Sequence, residues 1–280
     1  MNETTFSRKL MGGLIEITLY EINSDLALPL LEETYEEGLR LQKIFNFFDS
    51  ESELSLLNKK RSKKVSKELL EVISKALEYC KKTKGKYDLS IGKQIIQRKK
   101  GEEVKPIKSS YKNIIIKGNE ISLNHEDVLI DLGSIAKGYI VDKLVEFLIK
   151  KGVKNGLVDA RGDIRAFGNK QQVINIQHLR DKSKIIYPFT LKNSGVATSG
   201  DYNQYYGDHE KSHILGKNDL ISVTVISKKL AEADVLATSI LVLNEDEVEK
   251  FIKLKKDFQV LTIDKKLSIK VYNKFPLINQ

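Results

Sequence analysis

The stretch Asp131-Leu-Gly-Ser-Ile-Ala-Lys-Gly-Tyr139, the amphipathic run that continues to Lys150, and Asp159-Ala-Arg-Gly-Asp163 behind it decide how this chain is read. The order is strand, glycine turn, helix, strand, glycine turn. Val128 to Ile130 is an apolar lead-in, and Ile135, Val141, Leu144, Val145 and Leu148 then recur at helical spacing. A Gly/Ser turn at the start of a helix leaves backbone N–H groups free, and Lys137 stands beside them. Such a place suits an anionic group, most often a phosphate. On this turn alone the plainer reading, a tight strand-to-helix connection capped by Ser134, is the stronger one.

Three downstream segments change that balance. Ala197-Thr-Ser-Gly-Asp-Tyr202, Ser212-His-Ile214 and Ala233-Asp-Val-Leu-Ala-Thr-Ser239 follow in order. Together with the opening pair they resemble the ApbE-type FAD:protein FMN transferases, whose motifs read D-L-G-x-I-A-K-G-Y-x-x-D, G-G-D-I, A-T-S-G-D-Y, S-H-I and D-A-L-A-T. The first is matched through Asp142. Less specific likeness reaches the N-terminus through Met11-Gly12, through Asp49-Ser-Glu-Ser-Glu-Leu-Ser-Leu-Leu-Asn58 and through Gly85-Lys-Tyr-Asp-Leu-Ser90. The resemblance implies an α+β fold, T-fold-like, with a mixed and largely antiparallel sheet packed by helices, as a single domain over residues 1–280. Strands and helices without regular βα alternation point the same way.

Asp234 and Thr238 lie four apart in an apolar helical segment, so their side chains share a face. A carboxylate and a hydroxyl are hard oxygen donors suited to Mg²⁺, whereas spacing alone favours a back-bonded threonine and a solvated aspartate. By the resemblance both residues hold the metal with a backbone carbonyl at Ser134; the ion is Mg²⁺, with Mn²⁺ or Ca²⁺ as substitutes. His213 takes the position near the pyrophosphate and is the candidate general base. Thr198, Ser199, Gly200 and Lys137 would line the FAD site, with Ser90 and Met11 holding its other end. Read without the family, Thr198 to Gly200 is a polar turn between strands. Asp142 resembles a position that reaches adenine or ribose, with a helix-surface salt bridge equally open, and Asp163 reads as architectural.

Three departures from the family pattern stand out. Gly13 replaces the usual Thr after Met-Gly, Arg161 replaces the first Gly of Gly-Gly-Asp, and Leu215-Gly-Lys-Asn-Asp219 replaces the usual loop after Ser-His-Ile. Arg161 is expected beside the dinucleotide, as a phosphate clamp or an obstruction.

Composition bounds the alternatives. A chain of 280 residues with 41% hydrophobic content can bury a sizeable core, and four scattered prolines mark no linker. The net charge of +9 is spread in short lysine runs without aromatic interleaving, which argues against a nucleic-acid module. Cys80 is the single cysteine and lies on an apolar helical face, so it reads as a core residue. No apolar run is long enough for a membrane span, and Met1 to Leu10 lack a signal core and a lipid-accepting cysteine. Cytoplasmic placement is expected if Met1 is the natural start, and the periplasmic side or a membrane anchor if the chain is processed.

Periodicity predicts a strand over Leu14 to Tyr20, helices over Leu28 to Phe48 and from the Ser66 N-cap to a stop before Gly85, and strands over 114–117, 120–123 and 128–130. Further strands are expected over 156–158, 164–167, 172–176, 220–227, 259–263 and 268–272, with helices over 231–241 and 245–253. The implied reaction is Mg²⁺-dependent transfer of FMN from FAD to a Thr or Ser hydroxyl of an acceptor protein, with release of AMP. Membrane redox-complex subunits are among the implied acceptors. The rival readings are an FAD pyrophosphatase and an FAD-binding protein without turnover.

Overall fold

The computed structural model describes residues 3–177, 185–200, 219–253 and 256–278. The first half contains β1 (Glu3–Leu10), β2 (Gly13–Tyr20), α1 (Ser24–Phe45), α2 (Glu53–Lys60), β3 (Ser62–Lys64), α3 (Lys67–Lys82), α4 (Gly92–Lys99), β4 (Ile114–Lys117) and β5 (Glu120–Leu123). Then come α5 (Ala136–Lys150), β6 (Asn155–Ala160), β7 (Asp163–Phe167), β8 (Gln172–Gln177), β9 (Ile185–Leu191) and β10 (Gly195–Gly200). The chain closes with β11 (Leu220–Ser227), α6 (Leu230–Leu241), α7 (Glu245–Lys253), β12 (Gln259–Asp264) and β13 (Ile269–Tyr272).

Among the described residues, eight strands form one antiparallel sheet in the order β1-β2-β6-β7-β10-β11-β12-β13, as the α+β expectation requires. Two smaller sheets, β3-β5-β4 and β8-β9, flank it. Strand β7 is buried along its whole length and shows how the sheet is covered on both faces. Its alternate residues Ile164 and Ala166 join an apolar cluster with Phe189 and Leu191 of β9. Asp163, Arg165 and Phe167, by the two-residue period of a strand, point to the other face, where Phe167 packs in the main core with α5.

That second face carries the polar contacts that seat α5. Lys137 pairs with Asp163, and Arg165 Nε lies 3.3 Å from Asp142 Oδ1. Five helical residues rise about 7.5 Å and two strand residues about 6.8 Å, so the two ion pairs stand at matched spacing. Helix α6 crosses α5 at Gly138, where an added Cβ would lie 2.7 Å from the backbone of Leu230 and Ala231. Glycine is therefore required by a close approach of backbones.

Some expectations are corrected. Val128 to Ile130 is no ladder strand: Leu129 makes an isolated parallel bridge to Ile91, and the Asn58 side chain takes both the Ile130 N–H (2.8 Å) and C=O (2.9 Å). A side-chain amide does there what a neighbouring strand would do. Ser134 does not cap α5, whose N-cap is Ile135 without a side-chain bond; its hydroxyl meets Tyr87 Oη at 2.8 Å. Helix α1 starts at Ser24, capped by Asn23, and stops at Phe45. Thr198 to Gly200 end strand β10 and are no free turn. Cys80 is fully buried and its thiol pKa is pushed up by that burial, as a core residue requires.

Asp142 differs most from its expected role. It is 5% exposed, accepts from the Leu230 and Ala231 N–H groups at 3.0 and 2.9 Å, and faces Arg165. Both its oxygens accept amides at the start of α6, so the structure gives it a capping role, and its ion pair is buried rather than on the helix surface. Asp142→Ala strands Arg165 and two helix amides, and is expected to cost about 3–5 kcal/mol in urea unfolding. A loss below about 1 kcal/mol would show that the cap is dispensable.

Candidate active site

The sheet register gathers two hairpin turns and the end of a third strand at one end. Leu10 pairs with Gly13 and Ala160 with Asp163, so Met11-Gly12 and Arg161-Gly162 are two-residue hairpin turns. All four residues have positive φ (53°, 76°, 64° and 88°), the primed geometry that matches strand twist. Because β2 runs antiparallel to β6 with Glu16 opposite Asp159, both turns fall at the same end, joined by Thr198–Gly200 of β10 through the β7–β10 pairing. The first turn of α5 and the middle of α6 are brought to this end by polar contacts.

Lys137 forms an ion pair with Asp163, which is 4% exposed and also accepts from Thr198 N–H at 3.3 Å. Burial works against the Lys137 charge, but Asp163 and Asp234 outweigh it and hold its pKa above the ordinary value. Asp234 accepts from Gly138 N–H at 3.2 Å. Its carboxyl, pushed up to about 7 by burial and then by the Asp163 charge, is held back only in part by Lys137. Asp159 accepts from Gly162 N–H at 2.7 Å and is likewise raised by burial, then by Asp163. Thr238 Oγ1 sits 2.9 Å from Ser199 Oγ and donates back to Asp234 C=O at 3.3 Å.

This neighbourhood holds more buried carboxylate than cation. The donor set fits a small divalent ion: a carboxylate at Asp234, a hydroxyl at Thr238 and a carbonyl in the glycine turn at Ser134. Among the described residues no group of three or more His, Cys, Asp or Glu forms a ready-made metal site. Three oxygen donors are fewer than the six a Mg²⁺ ion takes, the rest being water or phosphate oxygens. The Asp234 charge reaches Tyr87, whose hydroxyl meets Ser134, which puts the turn and α6 in one neighbourhood.

The structure thus brings together Met11, Ser134, Lys137, Arg161, Thr198, Ser199, Gly200, Asp234 and Thr238. Ser90 has no exposed surface, and its hydroxyl has no partner among the described residues. Its backbone C=O receives Leu129 N–H at 3.3 Å, so Ser90 supports the approach to the glycine turn and offers no open contact. Asp142 stands apart as the cap of α6. His213 lies outside the described residues. Tyr87 and Asp159 were not singled out in the sequence; both fall within quoted segments, and a buried tyrosine beside a glycine turn is the signal that was there to read.

The chain matches the ApbE family model over residues 11–262 and belongs to that family. It is 30% identical over 250 residues to an FAD:protein FMN transferase of Vibrio cholerae, covering 78% of this chain and 72% of that protein. A Buchnera aphidicola (subsp. Schizaphis graminum) protein of the same name is 28% identical over 289 residues, covering 92% and 85%. In structure, the flavin transferase ApbE from Vibrio cholerae superposes with a TM-score of 0.82 at 25% identity, covering 97% of this chain and 96% of that one. The ApbE protein of Thermotoga maritima shares the fold with a TM-score of 0.83 at 22% identity, covering 98% of each.

A raised carboxyl pKa ties Asp234 to stability. The folded protein holds this proton more tightly than the unfolded chain, so the contribution is full below about pH 4 and is lost as pH rises through about 7. Without divalent metal, Asp234→Asn is expected to be more stable than the parent at pH 8 by on the order of 2–4 kcal/mol, and nearly equal to it at pH 4. Urea unfolding in chelator at both pH values measures this; a variant less stable at pH 8 would show that the Asp234 charge is satisfied within the protein.

Proposed function

We propose that this member of the ApbE family transfers FMN from FAD to a Thr or Ser hydroxyl of an acceptor protein and releases AMP. The observation that carries the reading is the cation-poor cluster of buried Asp163 and Asp234 with part-buried Lys137, at the sheet end where two hairpin turns meet the end of β10. In the reaction the acceptor oxygen bonds to the FMN phosphorus, the bridging P–O bond breaks, and AMP leaves with the bridging oxygen. The hydroxyl proton passes to a base, for which His213 is the candidate.

Lys137 stays charged at neutral pH because Asp163 and Asp234 hold it so, and it balances the phosphate oxygens. Asp163 orients that ammonium while fixing β10 through the Thr198 amide. Thr198, Ser199 and Gly200 line the dinucleotide's path, and Met11 bounds its other end. Asp234, Thr238 and the Ser134 carbonyl would hold Mg²⁺, with Mn²⁺ or Ca²⁺ as substitutes, and the ion supplies charge neutralisation on the pyrophosphate. Transfer chemistry of this kind rests on positioning and electrostatics.

Incubating the protein with FAD, Mg²⁺ and a flavin-acceptor protein is expected to give covalent flavin on the acceptor and equimolar AMP, abolished by chelator and lowered at least a hundredfold in Asp234→Asn. AMP formed without an acceptor would favour the pyrophosphatase. Bound flavin with no AMP under any metal or acceptor condition would sink the transferase reading.

A further inference from the structure

Two of the departures from the family pattern, Gly13 and Arg161, meet in space. A Cβ added to Gly13 would lie 2.4 Å from Arg161 Cδ, 2.8 Å from Nε and 3.1 Å from Cζ. The end of the Arg161 stem and the root of its guanidinium therefore lie across residue 13, in the place a side chain there would take. Beyond it, Nη2 donates to the Met11 carbonyl at 3.1 Å. The Met11 N–H in turn donates to Gln42 Oε1 of α1 at 2.5 Å. The turn is thus held on one side by the helix layer and on the other by Arg161.

The backbone makes this arrangement cost something. Arg161 sits at φ 64° in a turn whose first position favours Gly, Asn or Asp. Its guanidinium has one hydrogen bond among the described residues, is exposed, and is close enough to Lys137 to disfavour that residue's charge. That repulsion is smaller than the attraction of Asp163 and Asp234 for Lys137, so the two cations stand together at one end of the sheet, both available to a polyanion.

We propose that Arg161 is a positioning residue for the phosphate-bearing dinucleotide, and that it works only because residue 13 is glycine: its stem occupies the place left by the missing Gly13 side chain, its fork holds the Met11–Gly12 turn, and its free N–H groups face the same anion as Lys137. This rests on the FAD reading above. Gly13 and Arg161 are then one unit. A methyl at position 13 meets the movable end of Arg161 and displaces it, so Gly13→Ala acts as a loss of Arg161.

The test is a double-mutant cycle on the full chain, read by flavin-fluorescence titration with FAD in Mg²⁺ and by thermal unfolding. Gly13→Ala and Arg161→Gly are each expected to weaken FAD binding about tenfold, and the double variant no further than either alone. Arg161→Gly relieves the left-handed strain, so its melting temperature is expected to hold or rise while affinity falls, a combination that a purely structural role would not give. Unchanged affinity in Gly13→Ala, or effects that multiply in the double variant, would overturn the pairing. Failure of the parent to bind FAD would overturn the functional reading instead; hydrogen exchange at Met11 to Gly13, expected to quicken equally in both single variants, would then decide whether Arg161 holds the turn.

Discussion

Helices α5 and α6 exchange carboxylate-to-amide bonds where they cross, and the rest of the candidate site hangs on that exchange. Asp142 of α5 caps the first amides of α6, and Asp234 of α6 accepts from the Gly138 amide of α5. Each helix thereby spends a buried carboxylate on the other's backbone, which is affordable only at short range. Gly138 supplies that range, because a Cβ would strike the backbone of Leu230 and Ala231. Any side chain at 138 would push α6 outward and separate Asp234 and Thr238 from the glycine turn. Lys137 and Asp142 are five positions apart, and their ion pairs to alternate β7 residues set the rotation of α5. Helix rotation, helix separation and site composition are thus one constraint.

The consequence is electrostatic. Asp159, Asp163 and Asp234 lie within electrostatic reach of one another and of part-buried Lys137, and burial raises two of the three carboxyls. A protein concerned with stability alone would fill this place with apolar groups. The amides of the glycine turn are largely taken up within the protein, and the cluster keeps an unmet demand for positive charge beside Lys137, which favours negative charge. Cation and polyanion together answer both demands, and neither does so alone. Binding of the two is therefore expected to be coupled through Asp234 and Lys137, with each ligand relieving a repulsion that would oppose the other.

Much of this was legible in the sequence, for local reasons. The four-residue spacing of Asp234 and Thr238, the helical period after Ile135 and the Ser66 cap of α3 are short-range patterns that the structure keeps. What was not legible depends on contacts across long stretches of chain. Asp142 looks like an exposed helical acid until the start of α6, 88 residues on, arrives against it. Val128 to Ile130 has a strand's composition, yet its hydrogen bonds come from Asn58, 72 residues before. Strand β1 was passed over because Thr, Ser, Arg and Lys interrupt its apolar period; pairing with β2 along its full length, rather than composition, makes it a strand. No helix among the described residues is long and apolar enough to cross a membrane, in line with the hydropathy of the sequence.

The Gly13 and Arg161 departures also read differently once folded. Taken separately along the chain, one is the loss of a side chain and the other the intrusion of a large cation. In space they trade places, with the bulk removed at 13 restored from 161. A non-glycine residue in the left-handed region costs about 1–2 kcal/mol, and a hydrogen bond from a charged group returns about 1.5–3 kcal/mol. The trade is therefore close to neutral for folding, and stability gives little reason to prefer either arrangement. The preference must come from something that distinguishes a guanidinium from a small side chain. At the end of the sheet where Lys137 and the glycine turn also lie, an anionic ligand is the partner with that power of discrimination.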